Sequence, residues 1–424
     1  MTAPGISAPA IDDLRLTLTR LLDAELAAAA ELRRNLHRNP ELSGAESATA
    51  GAVASALACP DAPEIAGTGR LIRIGPPDGP CVAIRAELDA LPVPEQTGVW
   101  WASANGAMHA CGHDVHLAAL SALGRAARRA DLPVALLAVL QPREETTPSG
   151  ALDIVTSAEF AAQQPAAMIG VHLQHLFPAG TVAAPAGVVN AATDDFEITV
   201  SGRGGHAGYP QLAADPVLAL CQSVVTLQQL ISRRIDPTHA AVISVGTLQA
   251  GHAPNVIPTT ATASGTIRTL DEQDRQFLRS AIGEAVSGVC LAHGCEGAVT
   301  VVPAEPALVN DPRLAAGCQE LLRRAGYVVE TGFSSCGADD FAYYGGGSQG
   351  AGSQVAGSQV AACQGAGGQE TTLPSVMLFA GSGTPVSLHH PEFLPADGAI
   401  GDVASAMLAG YLAALALMPQ LYQG

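Results

Sequence analysis

The sequence predicts an α/β protein with a mainly parallel sheet, interrupted by an inserted α+β unit of ferredoxin-like order. Three observations carry this. The runs "CVAIRAELDALP", "VALLAVLQPREE" and "AAMIGVHLQH" are apolar stretches that end in polar residues, and helical stretches separate them. That is the pattern of buried parallel strands. Near residue 190 the order becomes β-α-β-β-α-β, and after about residue 304 the α/β pattern resumes.

Leucines at helical spacing across residues 11–38 predict one helix, with Asp12 and Asp13 near its start and Pro40 at its end. The strand in "CVAIRAELDALP" turns polar from Arg85 to Asp89 and stops at Pro92. Residues 115–129 and 150–162 read as helices between the later strands. In the insert, "TDDFEITVSG" alternates like a half-exposed strand, "DPVLALCQSVVTLQQLIS" is a helix, and "AAVISVGTLQA" and "TATASGTIRTL" are successive strands. A long amphipathic helix, "DEQDRQFLRSAIGEAVSGVCLA", and a strand, "GAVTVVPAE", complete it. The expected division is therefore a domain of residues 1–190 and 305–424 around an inserted domain of 191–304. A helix at 312–325 and the strand "PSVMLFAG" belong to the second half. The repeated Gly-Ser-Gln unit of residues 345–369 cannot bury enough surface to order itself, so 345–373 is expected to be a flexible loop.

Composition removes several function classes. Hydrophobic residues make up 48% and charged residues 14%, enough apolar material for a sizeable core. A net charge of −18 argues against nucleic acid or anionic lipid as partner. All 21 basic residues are arginine, which excludes a P-loop and a lysine Schiff base. Nine cysteines without a C-x-x-C pair point to a reducing compartment. "CLAHGC", with Cys290, His293 and Cys295, is too loosely spaced for a structural metal. The N-terminus lacks the build of a signal peptide, and "ASAMLAGYLAALALM" is too short to span a membrane, so a cytoplasmic protein is expected.

Chemistry-bearing residues gather after the strands. Cys111 and His113 stand two apart, Glu144 and Glu145 are adjacent, His172 ends a strand, and His389 and His390 follow another. In extended backbone the adjacent glutamates diverge, so one can bind a metal while the other faces a substrate. Thiolate, imidazole and carboxylate together suit zinc, manganese or nickel. Taken singly, each has an ordinary structural use; their shared position after apolar strands sets them apart.

Eight collinear stretches carry a resemblance: "NLHRNPELSGAES", "RAELDALP", "GAMHACGHDVHLAALSALG", "QPREE", "GRGGHAGYPQLAADPV", "NVIPTTATASGTIRTL", "GADDFAYY" and "LHHPEF". Together they resemble the hippurate hydrolase and auxin-conjugate amidohydrolase branch of the aminoacylase and carboxypeptidase G metallopeptidases, over about residues 30–400. The resemblance implies a zinc-peptidase-like catalytic domain and an inserted lid that serves as dimerisation surface. It implies hydrolysis of the amide of an N-acyl amino acid or related conjugate by a homodimer or higher homo-oligomer. Its metal ligands fall on Cys111, His113, Glu145, His172 and His389, its general base on Glu144, and its supporting aspartate on Asp89. Asp114 is expected to orient His113. His206, Asn255 and Arg268 match lid residues that touch the substrate, His206 at the oxyanion and Asn255 or Arg268 at a carboxylate.

Five protein ligands exceed the three of a single catalytic zinc, so two divalent ions (zinc, manganese, nickel or cobalt) sharing Cys111 are expected. A dipeptidase or N-carbamoyl-amino-acid hydrolase would use the same set, and a silent binding protein on this fold is the non-enzymatic alternative. Arg143 where a small residue is common, Thr146-Thr147-Pro148 where glycine is usual, Gln211 for histidine and Glu87 for aspartate depart from the pattern.

Overall fold

The computed structural model describes residues 6–346 and 373–421. An eight-stranded sheet has the order Glu64–Ile65, Gly69–Ile74, Ala135–Gln141, Cys81–Glu87, Pro165–Gln174, Ser375–Gly381, Thr181–Ala183, Val328–Glu330. Its four inner strands, from Ala135–Gln141 to Ser375–Gly381, run parallel. Cys81–Glu87, Ala135–Gln141 and Ser375–Gly381 are buried throughout because layers cover both faces. Alternate residues feed two cores. Ile84, Ile169 and Leu378 pack under helices that include His113–Arg128 and Gly398–Leu421; Ala83, Met168 and Met377 pack against Phe341 and Tyr344.

Part of the last helix, Gly398–Met418, has the length and mean hydropathy (1.7) of a membrane span. It is 72% buried within the protein. It lies along Pro165–Gln174 and Ser375–Gly381, and its apolar character follows from that.

Three local expectations are corrected. The helix of residues 11–38 is two, Ala8–Asp23 and Leu26–Arg38. At the break Glu25 receives Arg125 (2.8 Å) and Arg129 (3.1 Å), contacts that tie the turn to the helix His113–Arg128. The helix of 150–162 is also two, because the Ser157 hydroxyl accepts from Phe160 N (3.1 Å) and caps a new start. The strands Gly69–Ile74, Thr181–Ala183 and Val328–Glu330 extend the sheet beyond the runs the sequence marks. The Gly-Ser-Gln loop lies, from residue 347 to 372, outside the described residues.

The insert forms a separate antiparallel sheet of order Ala241–Ala250, Thr260–Thr269, Ala192–Ser201, Glu296–Pro303. Helices Pro216–Arg234 and Glu272–Ala292 pack on it over Phe196, Ile198, Val200, Leu220, Leu278 and Ile282. Both helix starts are written locally. Asp215 accepts from Val217 and Leu218 amides ahead of Pro216, and Asp271 accepts from Gln273 and Asp274 amides. Cys290 and Cys295 are packing in this core.

His37 is a buried test of the larger unit. Its Nδ1 lies 3.0 Å from Asp114 and its Nε2 3.1 Å from Glu95. Burial alone would lower its pKa, but Asp114 and Glu95 more than offset this and raise it to about 9. A pKa raised by folding contributes stability that is full below the ordinary value of about 6.5 and is lost as pH rises through the folded value. Wild type should therefore exceed His37→Gln by roughly 2–3 kcal/mol near pH 6, with the gap closing toward roughly pH 10. Chemical unfolding at the two pH values measures it; a gap that does not narrow contradicts the pairing.

Candidate active site

Four parallel strands deliver their ends to one place, the usual position for sites on such sheets. Cys81–Glu87 leads to Asp89, Ala135–Gln141 leads to Glu144 and Glu145, Pro165–Gln174 carries His172, and Ser375–Gly381 runs on toward His389. Cys111 and His113 flank Gly112, which starts the helix His113–Arg128 at φ +87°. A side chain at Gly112 would meet Leu173 Cδ1 at 2.7 Å, so glycine both permits the turn and lets it sit on the sheet.

The five residues expected as ligands come together. Cys111 Sγ is 3.3 Å from His172 Nε2 and 3.3 Å from His389 Nε2. His389 Nε2 is 3.4 Å from Glu145 Oε1, and His113 Nε2 is 3.8 Å from Glu144 Oε2. Atoms bound at 2.0–2.3 Å to one tetrahedral ion lie roughly 3.3–3.7 Å apart, so the three separations among Cys111, His172, His389 and Glu145 fit ligands of a shared cation. The adjacent glutamates do not diverge fully: each keeps a carboxylate oxygen within 4.8 Å of the other and of a His113 ring nitrogen, though their further partners differ. Glu145 turns to His389 and Glu144 turns to His113, Asp339 and Asp340.

Hydrogen bonds select the free atoms. His172 Nδ1 donates to Leu173 O (2.6 Å), leaving the Nε2 lone pair toward Cys111. His113 Nδ1 donates to Asp89 O (2.8 Å). Asp89 Oδ2 accepts from Ser43 Oγ (2.6 Å) and Glu145 N (2.9 Å), tying the two loops. Among the described residues, His113 Nε2, Glu145 Oε1 and Asp89 Oδ1 are buried without a hydrogen-bond partner. Such atoms cost free energy unless something else occupies them.

The electrostatics favour a cation. Burial, then Glu145, Glu144 and Glu87, pushes the Cys111 thiol well above its ordinary range. Burial, then Glu145, Asp339 and Asp340, pushes Glu144 up. His172 is lowered to about 3 by burial and by His116, so it stays neutral. Burial opposes charge on His113, yet Glu87 and Asp89 raise it to about 10. The field that would place a proton on His113 is the field that would hold a divalent ion.

Asp114 does not orient His113. Its Oδ2 accepts from Arg33 Nε and His37 Nδ1, both at 3.0 Å, and the Asp89 carbonyl orients His113 instead. The residues of the insert expected to touch the substrate are not among the groups clustered at the site. His206 and Asn255 are exposed, His206 in and Asn255 just before the short antiparallel ladder that pairs Gly205–His206 with Val256–Ile257. His206 Nδ1 accepts from Gly208 N (2.9 Å), which leaves Nε2 as the donor. Arg268 donates to Cys336 O (3.0 Å), between the insert and the "GADDF" segment.

The sequence left the partners of two contributors unassigned. His116 Nδ1 donates to Glu87 (2.9 Å) and its Nε2 accepts from Leu173 N (3.0 Å), so it braces the strand that carries His172. Arg85 holds Glu87, Asp339 (3.1 Å) and Asp340 (2.7 Å) beneath Glu144. The departure at Glu87 was a signal for the first; no signal announced the second.

Over residues 83–367 the sequence matches the model of peptidase family M20/M25/M40. The N-acetylcysteine deacetylase of Bacillus subtilis is 35% identical over 322 residues, 74% of this chain and 84% of that protein. The N-acetyldiaminopimelate deacetylase of Bacillus subtilis is 33% identical over 395 residues, 91% of this chain and 98% of that protein. A solved structure, the Bacillus subtilis YXEP protein, described as a dinuclear metal binding peptidase from the M20 family, has a TM-score of 0.74 at 29% identity and covers 92% of this chain and 98% of that one.

Gly112→Ala should lose roughly 1–3 kcal/mol in urea unfolding, from strain at positive φ and the Leu173 contact. An unchanged midpoint would show that the turn between Cys111 and His113 is relaxed.

Proposed function

This chain belongs to peptidase family M20/M25/M40, and on that premise we propose that it is a metal-dependent amidohydrolase that cleaves N-acyl amino acids to a carboxylic acid and an amino acid. The single observation that carries the reading is the convergence of Cys111, His113, Glu145, His172 and His389 around Glu144.

Cys111, Glu145 and His389 form one donor set, and with His113 and His172, whose Nε2 lies 3.3 Å from Cys111 Sγ, they are the residues that would hold two divalent ions. When bound, the ions supply Lewis-acid polarisation of the amide carbonyl and a water that is nucleophilic near neutral pH. Glu144 would take a proton from the attacking water and hand it to the leaving nitrogen. Asp89 steadies both loops through Ser43, Glu145 N and His113. His206, its Nε2–H free to donate, would serve the oxyanion after lid movement or from a second subunit's lid, in a homodimer or higher homo-oligomer. Arg268 and Asn255 would bind the substrate carboxylate, the guanidinium by paired hydrogen bonds. The division into a catalytic domain of 1–190 and 305–424 and a lid of 191–304 follows from these roles. Zinc, manganese, nickel and cobalt all suit the donors. Free cysteines throughout the described residues support a reducing, cytoplasmic setting.

The relatives named as deacetylases of N-acetylated amino acids favour a small acyl group over the benzoyl or indoleacetyl groups of the hippurate and auxin-conjugate branch. Rates on acetyl, benzoyl, indoleacetyl, carbamoyl and dipeptide substrates order these readings. Acetyl amino acids should lead; a higher rate on a dipeptide or carbamoyl compound would replace the reading with a dipeptidase or N-carbamoyl-amino-acid hydrolase.

Glu144→Gln should lower kcat by about 10²–10⁴-fold at unchanged metal content. A variant with wild-type turnover would remove Glu144 as the base.

A further inference from the structure

The segment "ELSGAES" contains a fully buried carboxylate that no step above uses. Glu46 is 0% exposed and occupies the N-cap of the helix Ser47–Ala56, yet its side chain makes no cap bond. Glu41 Oε2 performs a capping role by accepting from Thr49 N at 2.7 Å. Glu46 is thereby released to reach another part of the chain. Its Oε1 accepts from Gly44 N (2.8 Å) and from Arg143 N (3.0 Å), and its Oε2 accepts from Thr68 Oγ1 (2.6 Å).

Arg143 immediately precedes Glu144 and has φ +53°, a left-handed conformation that a side chain disfavours. It is tied through both backbone and guanidinium. Its N–H goes to Glu46, its carbonyl accepts from Gly150 N (3.1 Å), and its guanidinium reaches Pro148 O, Ala66 O and Asp153. Two residues later, Glu145 N goes to Asp89 Oδ2, which Ser43 Oγ also holds. Ser43 and Glu46, three residues apart, therefore grip the "REE" turn from both sides, one directly and one through Asp89.

We propose that Glu46 is a positioning residue that holds Arg143 in its left-handed turn and so aims Glu144 at the reacting centre and Glu145 at the metal. This rests on the role of Glu144 and Glu145 given above. Glutamine at position 46 keeps an oxygen for the two amides; aspartate keeps the charge but is one methylene too short to span Arg143 N and Thr68 Oγ1.

The test compares Glu46→Gln, Glu46→Asp and Glu46→Ala in the full chain, each measured per folded molecule by circular dichroism. Wild type must first show metal-dependent hydrolysis of N-acetyl amino acids; if it shows none, the functional reading fails, and the position 46 variants then speak only through metal binding. Two readouts follow: kcat against KM, and the visible d–d spectrum of cobalt added to metal-free protein. Glu46→Asp should lose on the order of tenfold or more in kcat with KM held within about twofold, and its cobalt spectrum should shift; Glu46→Gln should stay within roughly threefold of wild type in kcat. If Glu46→Ala does not fold, the Asp and Gln variants decide. A Glu46→Asp protein with wild-type cobalt spectrum overturns the proposal whether or not the enzyme turns over, and so does a kcat loss that tracks only the folded fraction.

Discussion

Negative charge concentrated at the carboxyl ends of four parallel strands is the constraint on which the rest depends. Glu87, Asp89, Glu144, Glu145, Asp339 and Asp340 meet there beside the Cys111 thiol, most of them buried. One buried guanidinium, Arg85, sits among Glu87, Asp339 and Asp340. It is always charged, so it neutralises part of the cluster at any working pH. Asp89, Glu144 and Glu145 are left over, and divalent cations among imidazole and thiolate donors are the economical complement.

Each surrounding element can be understood by which of those groups it manages. The helix His113–Arg128 begins at the site, and its first turn supplies His113 to the donors, Asp114 to Arg33 and His37, and His116 to Glu87. Asp339 and Asp340 face Arg85 from below, with Gln141 and Ser149 filling the remaining acceptor capacity of Asp340. The lysine-free composition fits this arrangement. Arg33, Arg85 and Arg275 are all fully buried, and each spreads its charge over a fixed fork to two or more acceptors, which an ammonium does less well.

What was legible in the sequence follows from range. The strand runs, the β-α-β-β-α-β order and the donors after strand ends are local patterns repeated along the chain. The sheet then aligns them without further information. The three-residue strands Thr181–Ala183 and Val328–Glu330 carry no readable period, because pairing with neighbours defines them. The break at Ala24–Glu25 is set by Arg125 and Arg129, a hundred residues away, so helical periodicity ran through it. Asp114 departs from its expected role for a similar reason. It is next to His113 in sequence, but the helix turns it toward Arg33 and His37, and a carbonyl from another loop takes the imidazole. Adjacency on a helix places side chains about 100° apart, so a neighbour is a poor candidate for an orienting partner.

The distribution of satisfied and unsatisfied atoms orders folding and metal binding. The bracing groups are complete within the protein: Ser43 to Asp89, Glu46 to Arg143 N and Thr68, His116 to Glu87 and Leu173 N. Among the described residues, three of the buried atoms without a hydrogen-bond partner, His113 Nε2, Glu145 Oε1 and Asp89 Oδ1, lie in the site, while others, such as Ser121 Oγ and Thr269 Oγ1, lie elsewhere. A chain whose bracing groups are satisfied while its candidate ligands are not can fold before it binds. It then carries about 1–3 kcal/mol of desolvation cost per buried orphan. An ion that occupies those atoms recovers that cost and stabilises the native state by mass action. The same division separates two kinds of substitution. On the proposed assignment, changes at the donors would alter the affinity for the ion, whereas changes at the bracing groups would alter where the donors point while leaving their chemistry intact.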